Sequence, residues 1–403
     1  LFFSVLFGTA VLVFLLVVGT NWQSYETLFS NQEGLVEGSE WIEKTYSLEG
    51  LTQYIGQNPQ HVSIVSYRSN KPDSGIYYKA DEPRVMGALS NIFIVIEYAR
   101  RVEEGKIDPD KRISISEFEV YRLPKINENA HQTALESFRN RQLIDDTNTI
   151  SLQNAIKAMA EFNVLAIADY FYFKFGVKAM DSLQTRLSLQ NTQRFLPFVG
   201  LHLAMSPKLL ENEADSIIKD YNNLERSEFN HQVFRFAHEY VRDVSFRMQA
   251  TNALKGSGLD VLFTNLRDMH QLFPKTTARE LASVMDKLQK GTLISKNVSN
   301  RVLNVLSWPL RESHMQDNFD DYSAIYDSRM GILNGIDTGI STYTGDTYVQ
   351  AVMFDSLQVG FWVHMSSNHM HQDYQQRLIW DPALQEVTRN ATSGSLKRAG
   401  STN

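Results

Sequence analysis

Few residues in this chain combine a reactive type with a spacing that could use it. Ser90 opens an apolar stretch, MGALSNIFIVIEYARRVEE. A serine at a helix start can attack where a base lies one turn on, but Phe93 stands there. The plainer reading is a small polar residue in the first turn. Arg329, in YDSRMGIL, offers a fork suited to a carboxylate, or else an ion pair with Asp327 or Asp337. His364, His369 and His371 lie close together and His314 precedes the Arg329 stretch, but a metal needs converging ligands, and HMSSNHMH is spaced like a polar loop. Asp145 with Asp146, and Asp320 with Asp321, are paired acids without a supporting partner, as a solvated turn would have them. The run DYFYFKF could stack on a ligand, but an apolar helix face of this kind is ordinarily core. There are no cysteines, so thiolate nucleophiles, disulfides and zinc–cysteine sites are excluded together. Neither a metal nor a cofactor is expected.

The elements that must position these residues emerge from periodicity and punctuation. HVSIVSYRSN alternates as a strand, KPDSG supplies a turn, and GIYYKA is its hairpin partner. Residues Met86 to Glu104 read as a buried helix closed by Gly105. From about 110 to 305 helices dominate. Ser151 is placed to cap SLQNAIKAMAEF, and Gly176 ends ADYFYFKF. Thr276 or Thr277 caps TTARELASVMDKLQKG, with Glu280 completing a capping box and Gly291 as the stop. TYVQAVMFDS and VGFWVHMSS read as two strands, and HQDYQQRLIWDPALQEVTRN as a last helix before a polar tail, 391–403, expected to be disordered. Strands from both ends would share one antiparallel sheet, with the helical block inserted between them.

The chain of 403 residues has 43% hydrophobic and 21% charged residues, as globular proteins do, and a net charge of -7 argues against nucleic acid as a partner. Leu1 to Gly19 carries no charge, and a helix of about 19 residues rises roughly 28 Å, enough to cross a bilayer. A cleaved signal peptide is the alternative, although its apolar part usually runs only about 7–15 residues. Trp22 and Tyr25 suit an interfacial belt. Glu26, Glu33, Glu37 and Glu40 precede the first base, Lys44, which favours an extracytoplasmic side for the rest of the chain. The expected organisation is an anchor at 1–24, a connector at 25–60, and a folded domain at 61–390.

That order, and three stretches in it, resemble the serine β-lactamase and D,D-peptidase superfamily, the penicillin-recognising enzymes. PRVMGALSNIFIVIEYARRVEEGKIDPDKRIS is similar to the family's active-site helix, MAEFNVLAIADYFYFKFG to its second-motif helix, and TTARELASVMDKLQKGTLIS with RVLNVLSWPL to the helices before the last strands. The resemblance covers about His61 to Asp381. It implies an α/β (α+β) fold: an antiparallel sheet flanked by helices, with an all-helical subdomain inserted.

The family's chemistry uses S-x-x-K, S-D-N and K-T-G. The resemblance puts Ala88 at the nucleophile and Asn91 at the lysine, Asn163, Val164 and Leu165 at the second motif, and Arg329, Met330 and Gly331 at the third. Alanine cannot attack and asparagine is no base near neutral pH. No acid lies in RFLPFVG, where a deacylating glutamate would be expected. The expectation is a membrane-anchored bacterial pseudoenzyme, its domain outside the cytoplasm and docking a protein partner in a membrane assembly. The alternatives keep Ser90 as a nucleophile, or the Arg329 strand as a site for a carboxylate or peptide.

Overall fold

The computed structural model describes residues 30–256, 261–311, 326–341 and 343–399. The proposed anchor at 1–24, His314, Asp320 and Asp321 lie outside them. Among the described residues no helix is long and apolar enough to cross a membrane.

Five antiparallel strands form the main sheet: β1 (Val62–Arg68), β2 (Lys71–Tyr78), β7 (Tyr326–Met330), β8 (Gly335–Ile340) and β9 (Thr347–Phe354), in the order β2-β1-β9-β8-β7. The chain thus opens and closes in one sheet, β1 lying directly against β9. Register divides their side chains between two faces. Val65 opposes Ala351 and both belong to the front core, whereas Ile64 opposes Val352 and both belong to the back core. A one-residue slip would exchange the two sets, so the alternation fixes the pairing.

The helices that frame the sheet and the site are α1 (Leu48–Gln57), α2 (Asn91–Glu103), α3 (Leu152–Phe162), α4 (Leu165–Phe175), α5 (Phe198–Ala204), α6 (Ala278–Gln289), α7 (Lys296–Leu306), α8 (Val359–Asn368), α9 (Met370–Trp380) and α10 (Pro382–Ala399). The helical block and α6 cover the front of the sheet, while α1, α8, α9 and α10 cover its back. Helix α2 is buried from Asn91 to Ala99. Two short ribbons tie the block together, β3 (Arg84–Val85) with β6 (Lys275–Thr276) and β4 (Arg112–Ser114) with β5 (Thr149–Ser151).

The expected N-caps are present. Ser151 accepts from Asn154 N and Thr277 from Glu280 N. The second half of the capping box is used elsewhere, since the Glu280 carboxylate accepts from Gln190 N at 2.7 Å, Asn191 N at 2.8 Å and Thr192 Oγ1 at 2.6 Å. Three expectations need correction. VGFWVHMSS is helix α8 rather than a strand, because Gly360 lets it lie against the Leu35 carbonyl of the N-terminal segment. KPDSG belongs to β2, which starts at Lys71. Where a tail was expected, α10 continues to Ala399; it comes after a break at Asp381 and packs along α1, where a Cβ on Gly56 would sit 2.9 Å from the Ala391 carbonyl oxygen.

Candidate functional site

The resemblance places its site where the start of α2, the α3–α4 turn and the edge strand β7 would converge; Leu89 at the head of α2 meets Gly331 after β7, and Ser90 and Asn91 share a void with Ala168 and Asp169 of α4. A short 3₁₀ turn, Gly87–Ser90, leads into α2, with Gly87 at φ +51°. Ala88 is half-buried there and offers only a methyl group. The Ser90 hydroxyl donates to the Gly87 carbonyl at 2.8 Å, a local bond that belongs to the turn. Asn91 is 0% exposed, and neither its Oδ1 nor its Nδ2 has a hydrogen-bond partner. Such a group carries the full desolvation cost, about 1–3 kcal/mol.

Leu89, between Ala88 and Ser90, points toward the sheet. Gly331 at the end of β7 has φ +97°, and a Cβ there would run into the Asn334 carbonyl and stand 2.6 Å from Leu89 Cδ2. The third motif's glycine therefore makes room for a leucine and a tight turn. Met330 is buried in the front core. The outer edge of β7 is covered as well, since the Trp308 indole donates to the Arg329 carbonyl at 2.8 Å. A peptide strand adding to that edge would have to displace it.

Arg329 is not available to a ligand in the groove. Its side chain lies on the back of the sheet, 2% exposed. There it donates to Asp337 Oδ1 at 2.6 Å, Gly331 O at 3.0 Å, Ile332 O at 2.9 Å and Gln375 Oε1 at 3.0 Å. Strand register explains this, for Arg329 pairs with Asp337 and Asp337 with Gln350 across three strands, all on the face beneath α9. Burial pushes the Asp337 carboxyl up, with Arg329 pulling it back down. Of the two expectations for Arg329, the ion pair with Asp337 is the one present.

Asn163 holds the α3–α4 turn in the left-handed conformation, φ +53°, and its buried Oδ1 has no partner. Val164 is buried. Leu165 is half-buried, and its backbone N–H donates to Asn127 Oδ1 at 3.0 Å.

RFLPFVG brings no acid of its own, but one reaches it from α4. Asp169, fully buried, accepts from Phe198 N at 2.8 Å and Val199 N at 2.6 Å, capping α5. Burial without a neighbouring cation pushes its carboxyl up to about 7, against the pull of the two N–H groups. In the sequence Asp169 is hidden within an apolar helix, and the one signal that could have found it is a lone acid in such a setting.

Ser90, Asn91, Asp169, Tyr172, Phe195 and Phe198 enclose a void of about 10 Å³, and a second of about 20 Å³ lies on the other side of Asp169 beside Leu165 and His202. Each has room for about one water, far below the roughly 300 Å³ at which ligand pockets begin. Phe195, which lines the first void, stacks on Phe93 with ring centroids 4.2 Å apart.

No family model matches the chain, and no curated protein is similar to it. Solved structures do match. PBP-A, in an acyl-enzyme complex with penicillin G, is 11% identical with a TM-score of 0.41, over 88% of this chain and 97% of that one. A β-lactamase from Chitinophaga pinensis is 8% identical (TM-score 0.44; 82% and 99% covered), and one from Sphaerobacter thermophilus 11% identical (TM-score 0.44; 87% and 97% covered). These are loose overlaps. The chain's own order of hairpin, buried helix, helical block and closing strands around one sheet is the order that the sequence resemblance implied.

The other candidates are accounted for locally. The His364 ring meets Thr45 Oγ1 at 3.1 Å and Asn368 Nδ2 at 2.8 Å, while His371 Nδ1 meets the Met365 carbonyl at 3.0 Å. Burial lowers His371 to about 4, and no group of three or more potential metal ligands converges among the described residues. Asp145 accepts from Thr147 and Thr149 and pairs with Arg112, all at the surface. Tyr170, Phe171, Tyr172 and Phe175 of DYFYFKF are buried in the front core.

Proposed function

We propose that this chain is a catalytically inactive serine β-lactamase-like protein, held at a membrane through residues 1–24 with its folded domain outside the cytoplasm. It would act as a structural or interaction subunit of a membrane or envelope assembly. The observation that carries the inactive reading is Asn91: at the position of the general base stands a buried amide without a partner, beside a void that holds about one water. Ala88 next to it has no nucleophile. The alternatives gain no support, since the Ser90 hydroxyl is bonded within its own turn and Arg329 faces the back of the sheet.

The test is covalent labelling of the full chain in detergent with a fluorescent penicillin, followed by intact mass. The expected result is no adduct on the wild type. A stoichiometric adduct that disappears in Ser90→Ala would overturn the proposal. An Ala88→Ser, Asn91→Lys double variant asks in addition whether the lost pair alone stands between this fold and acylation. Leu89 and Phe195 still close the site, so it too should remain unlabelled.

A further inference from the structure

Five of the thirteen exposed large apolar side chains among the described residues lie around the point where the described chain begins. Val36, Tyr46, Leu262, Trp362 and Val363 are between 38% and 66% exposed. They are neighbours through the contacts of the residues beside them. A Cβ on Gly360 would meet the Leu35 carbonyl, and Phe361 N donates to the carbonyl of Glu37, which brackets Val36 against the start of α8. The Tyr46 ring lies edge-on to His364, the residue after Val363, with centroids 4.7 Å apart. Phe263 N donates to Asn31 Oδ1, which brings Leu262 to the same corner.

We infer that this corner is a second membrane contact, seated on the surface of the bilayer that residues 1–24 enter. The inference rests on the anchor reading above and goes beyond it. Two observations choose lipid as the occupant. Between the uncharged stretch Leu1 to Gly19 and Ser30 there are only the residues 20–29. Fully extended, such a connector spans at most about 35 Å, so the corner joined to it cannot leave the neighbourhood of the membrane, and even a weak contact is favoured. The side chains are also of the interfacial kind, with Trp362 and Tyr46 presenting amphipathic rings beside Val36, Leu262 and Val363. Charge narrows the lipid. Glu33, Glu40 and Glu43 stand on the same segment against one base, Lys44, and Glu37 is paired with Arg267, leaving a net acidic rim that anionic headgroups would repel. The surface therefore suits zwitterionic lipid, and anionic lipid should weaken the contact at low salt more than at high salt.

The lack of cysteine allows a direct test. A spin label is placed on Val363→Cys, or on Thr133→Cys in the exposed face of Glu128–Asn140 as a reference, in the full chain reconstituted into phosphatidylcholine nanodiscs. The label at 363 should be relaxed by oxygen and shielded from a water-soluble nickel chelate, while the label at 133 is open to the chelate. Adding Trp362→Gln and Val36→Ser should return the 363 label to the chelate with the chain still in the nanodisc. Both labels open to the chelate on a nanodisc-bound chain would overturn the contact and leave the anchor standing. A 363 label shielded from oxygen and chelate alike would assign the corner to a protein and overturn the lipid assignment. A chain that does not enter nanodiscs would overturn the anchor reading and this inference with it.

Discussion

On the back of the sheet, Arg329 and Asp337 bury two opposite charges, and each finds hydrogen-bond partners, with Gln350 and Gln375 completing the cluster. In front of it, at the head of α2, Asn91 buries two polar atoms that find none. Arg329 and Asn91 lie at positions that the sequence resemblance aligns with functional motifs, and both are buried. The difference lies in what the surroundings supply. Three strands in register built a polar ladder behind the sheet, whereas the front was packed with Leu89, Phe93, Phe195 and Met330. A buried polar residue is evidence of a working site only when its partners point toward a space a substrate could occupy. Here the partnered group points away from that space, and the group that faces it is alone.

The sharpest way to break this contrast is to remove one charge from the back. Arg329→Met leaves Asp337 buried opposite nothing and should cost about 3–5 kcal/mol, read by urea unfolding of the full chain in mild detergent. Arg329→Met with Asp337→Leu should recover most of that loss. A single substitution costing less than about 1 kcal/mol would mean that the pair is solvated and the two regions are alike.

Asp169 gives the front an intermediate test through pH. Its carboxyl stands at about 7 in the folded chain against an ordinary value of 3.8, so the folded state holds the proton more tightly. The stability it contributes is complete below about pH 4 and is lost as pH rises through about 7, flattening above. Half-buried His202, lowered to about 3 by desolvation, acts in the opposite direction below pH 6.5, so the total curve is mixed. The difference between wild type and Asp169→Asn isolates the group. It should fall by a few kcal/mol from pH 4 to 7, and a flat difference would mean that the carboxylate is ionised throughout.

The sequence revealed the frame more readily than the site. Strands β1 and β9, the helix through Asn91 and the caps at Ser151 and Thr277 are legible because alternation and capping are local. Strand β8, GIDTGI, is not legible because two glycines and a buried Asp337 read as a turn, and only Arg329 and Gln350 on the neighbouring strands make that aspartate tolerable. Helix α8 reads as a strand because the segment that decides its faces, Leu35 to Glu37, lies more than three hundred residues away. Ala88 and Asn91 could be placed by alignment, but which way Arg329 points depends on register, and one residue in register exchanges groove for back.

The smallest of the expected effects has the opposite sign, and it tests the front directly. Asn91→Leu replaces the unpartnered amide by an apolar group of similar shape in a core already made of Phe93, Ile94, Phe195 and Met180. Removing two unsatisfied polar atoms removes their desolvation penalty, so the variant should match the wild type or gain up to about 1–2 kcal/mol. Few buried asparagines behave so, because most hold a network together and their loss is costly. A loss of more than about 1 kcal/mol would show that a water in the neighbouring void bridges Asn91 to Ser90 or Asp169, and would give Asn91 hydrogen-bond partners as Arg329 and Asp337 have them. A gain would mean that Asn91 lowers stability where it stands, as a buried amide without partners should.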